Sequence, residues 1–340
     1  EVGLWYPPDP ASFTFSTLGG NVATNAGGLC CVKYGVTANY VLGLEVVIAE
    51  AEGVVSRIRT GGRTRKNVAG YDLTHLFVGS EGTLGVVTEI TLRLRRPAPP
   101  AGTLVATFDS LVAAGEAVGK LTSTCDPSLL EIMDRASIRA VEAYRPMDLD
   151  TEAAATLFVR SDVRSSGASG DGDELDHMQA ACEAAGARTV FATRDEWEGE
   201  KFLDVRRSAY PALEKLGAVL VDDVAVPIPL LPEMVRRIER VAERTGTYVT
   251  TVGHAGDGNL HPNVIYDPRD EREEQRARQA FAAIMVEAIS LGGTITGEHG
   301  IGTLKRQFLA SQVGDASMAL QRRLKATFDP LGIMNPGKVI

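Results

Sequence analysis

Two short glycine-rich segments hold the residue types best suited to chemistry. The first is Gly253-His254-Ala255-Gly256-Asp257-Gly258-Asn259-Leu260-His261-Pro262-Asn263, with two histidines seven positions apart. The Gly-Asp-Gly-Asn sequence between them is a turn former that can fold the chain back until both imidazoles meet. His261 and Asn263 are two apart, so in extended chain they face the same side. The second segment is Gly297-Glu298-His299-Gly300-Ile301-Gly302. Together the two hold three of the five histidines in the chain. Any one of these imidazoles alone reads as an ordinary structural histidine; the clustering is what points to a site. Two neutral imidazoles and one carboxylate form an open divalent-metal site. His254, His261 and Glu298 are the expected ligands, with Zn²⁺ as the default ion and Mn²⁺ or Fe²⁺ as alternatives of acceptable ligand type. The spacing is not HExxH, which argues against helix-borne peptidase chemistry.

His299 then stands beside the cation with a side chain whose ordinary pKa suits proton abstraction near neutrality. A 2-hydroxy acid can chelate a metal through its carboxylate and hydroxyl, which makes the hydroxyl more acidic. His299 is therefore the expected base.

Two further glycine-rich runs lie near the start, Gly19-Gly20-Asn21-Val22-Ala23-Thr24-Asn25-Ala26-Gly27-Gly28 and Val78-Gly79-Ser80-Glu81-Gly82-Thr83-Leu84-Gly85. Such runs let backbone N–H groups approach a ligand closely or form anion nests. Read alone, each is equally well a tight turn between strands. Neither has the spacing of a Rossmann fingerprint or a P-loop.

Gly19–Gly28, running on into Val32-Lys33-Tyr34-Gly35-Val36-Thr37, resembles the flavin-contacting segment of the FAD-linked oxidases of the vanillyl-alcohol oxidase (PCMH-type) fold, and Thr60–Leu73 and Gly79–Gly85 resemble that family's next two blocks, in the same order. The pair GHxGDGNxHxN and GEHGIG, at Gly253–Asn263 and Gly297–Gly302, resembles the branch that holds D-lactate dehydrogenase and the glycolate oxidase D subunit. The resemblance covers nearly the whole chain. It implies an α+β fold, a partial PCMH-type FAD-binding subdomain joined to a ferredoxin-like α+β cap. It implies FAD contacts from Gly19, Gly20, Asn21, Asn25, Gly27, Gly28, Glu81, Gly82, Gly85 and Val87, and from Asn335 in a closing segment, Phe328–Lys338, that returns to the flavin domain. It also implies metal ligation by His254, His261 and Glu298, a base role for His299, and substrate contact by Asn263 and Arg206. A guanidinium fork suits a carboxylate, although Arg206 read alone is a solvated helix arginine; Lys305 and Tyr210 are weaker candidates.

The activity implied is FAD-dependent oxidation of a D-2-hydroxy acid of the D-lactate or glycolate type to the 2-oxo acid, with hydride transfer to flavin N5. Electrons would pass to a cytochrome, a quinone or a partner iron–sulfur or flavin subunit, since no nicotinamide fingerprint is present. The family carries an earlier subdomain whose loop wraps the pyrophosphate. Close to the start of this sequence, Tyr6-Pro7-Pro8-Asp9-Pro10 runs directly into the glycine-rich segment, so the chain is expected to be amino-terminally truncated. Two alternatives remain: a metal-dependent hydrolase built on the same two histidines and glutamate, and a folded but inactive fragment of the dehydrogenase.

The elements that must position these residues follow from pattern. Leu44–Ala49 and Gly85–Leu94 read as strands from their β-branched content, and Pro97, Pro99 and Pro100 mark a boundary. Beyond it strands and helices alternate. Strands are expected at 104–108, 155–160, 188–192, 218–226 and 247–252, and helices at 111–121, 174–185, 195–210 (closed by Pro211) and 231–245. The stretch 163–173, rich in Ser, Gly and Asp, reads as a loop. Ala277, Phe281, Ile284, Met285 and Ala288 mark one face of a long helix, ended by Gly292-Gly293. The alternation suggests a ferredoxin-like domain, doubled if the pattern is taken over its full length. The domains expected are residues 1–97 (flavin), 98–310 (cap with the metal site) and 311–340 (return to the flavin domain).

Composition narrows the function classes. The chain has 340 residues, 44% hydrophobic, with a net charge of -9. This is core enough for more than one domain, and an acidic balance argues against a nucleic-acid partner. No stretch approaches the roughly 20 apolar residues that span a bilayer, and the first ten residues lack the features of a signal peptide. Four cysteines without a CxxC pair suit a reduced, cytoplasmic setting, peripheral to a membrane if the electron acceptor is there. A homodimer is an acceptable assembly.

Overall fold

The computed structural model describes residues 3–163 and 173–340. The expected loop at 163–173 lies outside the described residues except at its two ends. The chain forms two compact units, one of residues 1–97 with 295–340 and one of residues 98–294. The first boundary falls at the proline cluster. Residues 295–310, assigned from sequence to the central domain, belong instead to the flanking unit, and with them go Glu298 and His299.

In the flanking unit, β1 (Val41–Ala49) lies between β2 (Val55–Gly61) and β3 (Val86–Leu92), antiparallel to both. One face of β1 carries the apolar core: Val41, Leu44 and Val46 pack with Val22 and Phe77. Phe328, from the long C-terminal helix Arg306–Phe328, meets Phe77 edge-on at 5.3 Å between ring centroids. Glu45 sits buried on the central strand because Arg59 supplies an ion pair at 2.7 Å and Thr88 a hydrogen bond at 3.1 Å. β2 has no clear apolar run; its Arg57 and Arg59 alternate with Ile58, which is why sequence pattern alone does not reveal it.

The central unit holds one antiparallel sheet in the order β7-β4-β6-β5-β10-β11-β8, with β9 also paired to β11. The strands are β4 (Gly102–Phe108), β5 (Leu129–Asp134), β6 (Ala155–Ser161), β7 (Thr189–Thr193), β8 (Ala218–Val221), β9 (Val224–Ala225), β10 (Tyr248–His254) and β11 (Asn259–Tyr266). The order β7-β4-β6-β5 is that of a ferredoxin-like split βαβ unit. The second set, from β8 to β11, repeats it, and an isolated bridge between Ala225 and Thr294 completes its edge. The two halves join where β5 pairs with β10, so the doubling is structural even though no sequence repeat marks it. Helices Leu111–Thr124, Leu231–Thr245 and Glu271–Ser290 pack side by side on the sheet. Leu231–Thr245 buries Leu231, Met234, Val235, Ile238 and Val241, an apolar stripe at helical spacing.

Several expectations are corrected. The strand expected over 218–226 is two short strands, separated by the fully buried Asp222 and Asp223. Pro211 does not close a helix; helix Glu196–Arg207 ends earlier and Pro211 sits inside a short helix, Ala209–Leu213, where its missing N–H falls in the first turn. Strands β5 and β11, helix Arg135–Tyr144 and the C-terminal helix have no counterpart among the elements expected from sequence. Among the described residues no helix is long and apolar enough to cross a membrane.

Candidate active site

Strand register in the central unit sets four titratable side chains in a row. Ile132 pairs with Gly253 and Met133 with Val252, so the next step of the ladder sets Glu131 opposite His254. Val252 also pairs with His261. His254, two residues on from Val252, therefore shares its face and is a diagonal neighbour of His261. On the far side Leu260 pairs with Val224, and the same register continues to Asp223 opposite His261. The order across the sheet is acid, imidazole, imidazole, acid.

The distances agree with that order. The rings of His254 and His261 meet edge to face, with centroids 5.1 Å apart and planes at 85°. Nδ1 of His254 donates to Oε1 of Glu131 at 2.6 Å. Oδ1 of Asp223 lies 3.7 Å from Nδ1 of His261 and accepts from Nδ2 of Asn259 at 2.7 Å. All four groups are buried, and Glu131 and Asp223 are 0% exposed. The turn between the histidines, Ala255–Asp257, closes on Gly258 at φ 72°. A side chain at that position would run into the Val226 carbonyl, so glycine is required there by both conformation and space.

Arg206, near the end of helix Glu196–Arg207, donates from Nε to the second oxygen of Glu131 at 2.7 Å. Asn263 is buried on β11, and its Nδ2 donates to the His261 carbonyl at 2.8 Å. Tyr210, 47% exposed, lies in the separate helix Ala209–Leu213. Sequence reasoning missed Glu131 and Asp223. The available signals were a carboxylate inside an apolar strand, Leu129-Leu130-Glu131-Ile132-Met133, and an acidic pair between two short strands.

In the flanking unit, the Glu298 side chain lies against Gly27, where a Cβ would sit 2.5 Å from Oε2. The absence of a side chain at Gly27 is what lets that carboxylate lie there. Nε2 of His299 is 3.7 Å from Oε1 of Glu298. The loop after His299 is held by Glu81, whose carboxylate accepts from the backbone N–H of Ile301 at 2.7 Å and of Gly302 at 2.8 Å. Nδ2 of Asn335 donates to the Glu81 carbonyl at 2.6 Å. Lys305 is buried rather than a surface lysine, with Nζ donating to the Ile295 carbonyl at 2.6 Å. Glu298, His299, Gly27, Glu81 and Asn335 are thus brought together in this unit, and His254, His261, Asn263 and Arg206 in the other.

The glycine-rich segments leave backbone open at some positions and are tightly packed at others. Gly19 and Gly20 open the helix Leu18–Thr24, capped by Thr17, whose Oγ1 accepts from Gly20 N–H at 3.0 Å. A Cβ at Gly19 would meet only Thr17 Oγ1 at 4.0 Å, and one at Gly82 would meet nothing within 4 Å. Both present bare backbone to open space, which fits close approach of a planar ring system. Gly28 and Gly85 are glycine for a different reason, since a Cβ would lie 2.5 Å from Asp9 backbone or 2.7 Å from the Val46 side chain. Asn21 is buried, Asn25 accepts from Ala38 N–H at 2.8 Å, and Val87 pairs with Val46 in the sheet. The donor set also has the ligand types of a divalent-cation site: two adjoining imidazoles, one of them with Nδ1 held by a carboxylate.

Comparisons with known proteins accord with this architecture. Residues 99–339 match the family of FAD linked oxidases, C-terminal domain, and residues 1–58 match an FAD binding domain. The chain is 42% identical over 339 residues to the glycolate oxidase subunit GlcD of Bacillus subtilis (strain 168), covering 99% of this chain and 71% of the relative. It is 36% identical over 341 residues to the D-lactate dehydrogenase of Archaeoglobus fulgidus, covering 99% and 72%. It is 34% identical to the mitochondrial D-lactate dehydrogenase [cytochrome] of Arabidopsis thaliana, covering 100% and 59%. The chain thus spans 59% to 72% of the length of these relatives. Among solved structures, p-cresol methylhydroxylase with substrate bound is similar with a TM-score of 0.72, at 15% identity, over 99% of this chain and 72% of that one. At that identity the likeness is one of fold.

Proposed function

The chain belongs to the FAD-linked oxidase family, a family of oxidoreductases, and from that premise we propose that it serves the oxidation of a D-2-hydroxy acid, of the D-lactate or glycolate type, to the 2-oxo acid. The observation that carries the reading is the buried row Glu131, His254, His261 and Asp223, which has the chemistry of a cation site. His254 and His261 bind a divalent cation through ring nitrogen, Zn²⁺ in the first instance and Mn²⁺ or Fe²⁺ otherwise, and Glu298 supplies the third ligand. Such a cation supplies Lewis acidity toward a substrate that chelates through its carboxylate and hydroxyl. Arg206, engaged with Glu131 through Nε, offers its terminal amino groups to the substrate carboxylate. His299 takes the hydroxyl proton on its imidazole. Asn263 orients the substrate from the same strand as His261.

Backbone at Gly19, Gly20 and Gly82, with Asn21, Asn25, Gly27, Gly28, Glu81, Gly85, Val87 and Asn335 around it, holds FAD in this reading. FAD, when bound, supplies the acceptor for the hydride and its two electrons. An acceptor other than a nicotinamide then removes those electrons. The hydrolase alternative leaves the residues matched to an FAD binding domain without a task. The test is a panel of D-2-hydroxy acids assayed with a dye acceptor on the chain supplied with FAD and zinc. Turnover of D-lactate or glycolate, and none of the L enantiomer of lactate, is expected; turnover of no hydroxy acid in the panel rejects the substrate assignment.

A further inference from the structure

We infer that Glu131 is a positioning residue that locks, with its two oxygens, both the imidazole of His254 and the guanidinium of Arg206. The inference rests on the preceding reading for what those two side chains bind, but its own support is geometric. Glu131 lies on β5 with 0% exposure. Its Oε1 accepts from Nδ1 of His254 at 2.6 Å and its Oε2 from Nε of Arg206 at 2.7 Å.

A carboxylate accepts and does not donate, so the proton of a neutral His254 ring stands on Nδ1 and the lone pair on Nε2. That is the tautomer a cation needs from this ring, with the second nitrogen held by an outer carboxylate. The same carboxylate takes Nε of Arg206 and so fixes the plane of the fork. Two binding elements 48 residues apart in sequence, one for the cation and one for the substrate carboxylate, thereby share one anchor. A glutamine at this position has one acceptor atom and one donor group. If its carbonyl keeps Arg206 Nε, its amide N–H₂ faces Nδ1 of His254 and favours the opposite tautomer, with the proton on Nε2; if its carbonyl keeps His254 instead, the N–H₂ faces the Arg206 donor. An aspartate keeps both acceptors on a shorter arm.

The experiment compares the full chain with its Glu131→Gln, Glu131→Asp and His254→Ala variants, using zinc alone as the probe. Zinc affinity is read by chelator competition, and the His254 tautomer by ¹⁵N NMR of the metal-free protein. Wild type is expected to show His254 protonated at Nδ1. Glu131→Gln is expected to lose that signature and bind zinc roughly 10- to 100-fold more weakly, and Glu131→Asp to show a smaller loss of the same kind. A fold-only role for Glu131 would lower thermal stability without moving either readout. Zinc affinity within about twofold of wild type together with an unchanged tautomer overturns the inference, in Glu131→Gln or, should that variant not fold, in Glu131→Asp. If wild type and His254→Ala bind zinc equally, the cation reading fails instead, and the tautomer comparison still decides the role of Glu131.

Discussion

The carboxylate of Glu81 grips the backbone N–H of Ile301 at 2.7 Å, across 220 residues of sequence. The neighbouring N–H of Gly302 makes a second bond to the same group. A Cβ at Gly300 would lie 2.7 Å from Glu81 Oε1, so the loop that carries Glu298 and His299 is fitted to this side chain. Glu81→Ala is expected to release the loop and cost about 1.5–3 kcal/mol, the range for hydrogen bonds to a charged group. Chemical denaturation measures the cost, and a loss within experimental error of zero would show that the clamp does not hold the loop.

The roles assigned to the three histidines separate on metal content. His299→Ala is expected to keep about one zinc per chain while turnover of a D-2-hydroxy acid falls by about 10²–10⁴-fold, the range for a missing general base. His254→Ala is expected to lose zinc and turnover together. Elemental analysis of the purified variants is the check. Zinc lost from His299→Ala but kept by His254→Ala would mean that ligand and base have been exchanged.

Arg206→Lys keeps the charge but not the planar fork. A lysine ammonium cannot reproduce the Nε bond to Glu131 and a forked contact to a substrate carboxylate at once. The expected result is a KM raised about tenfold or more, equivalent to about 1.4 kcal/mol or more of lost binding, with a smaller change in kcat. An unchanged KM would remove Arg206 from substrate binding and leave it only as the partner of Glu131.

Asp134 gives a pH dependence of known sign. It caps helix Arg135–Tyr144 by accepting from Ser137 N–H at 2.7 Å, and also accepts from Thr251 N–H at 2.6 Å. Burial nevertheless pushes its carboxyl up to about 6, the hydrogen bonds only partly opposing it. The folded state therefore binds this proton more tightly than the unfolded chain. Its contribution is most favourable below about pH 4, declines as the pH rises toward 6, and is flat above. The loss is on the order of 2–3 kcal/mol. Denaturation midpoints across pH 4 to 7 should show a downward slope in the wild type that Asp134→Asn removes. Equal slopes in both proteins would contradict the assignment.

Much of the site is visible in sequence because it is local. The seven-residue spacing of His254 and His261 and the turn between them are enough to predict that the rings meet, and their edge-to-face contact follows from a tight β10–β11 connection. Glu131 and Asp223 are invisible at that level. Their partnership with the histidines is created by the β5–β10 and β9–β11 registers, and strand pairing at such separations leaves no local pattern. The same physics explains the fold. Helices with a clean apolar face, such as 231–245 and 271–290, can be read directly. The half-exposed β2 and the C-terminal helix, kinked at Gly314, cannot, because charge alternation in the one and weak amphipathicity in the other mask the period. The second half of the doubled sheet was only suggested by the alternation of elements; strand order is what establishes it.

The most direct measurement is anaerobic. The chain is loaded with FAD and zinc, mixed with D-lactate or glycolate, and followed through the flavin's visible absorption. Bleaching of that band is expected, lost when zinc is stripped by a chelator and restored when zinc is returned. A band unmoved by both hydroxy acids in fully loaded protein, or bleaching that proceeds equally well without metal, would contradict it.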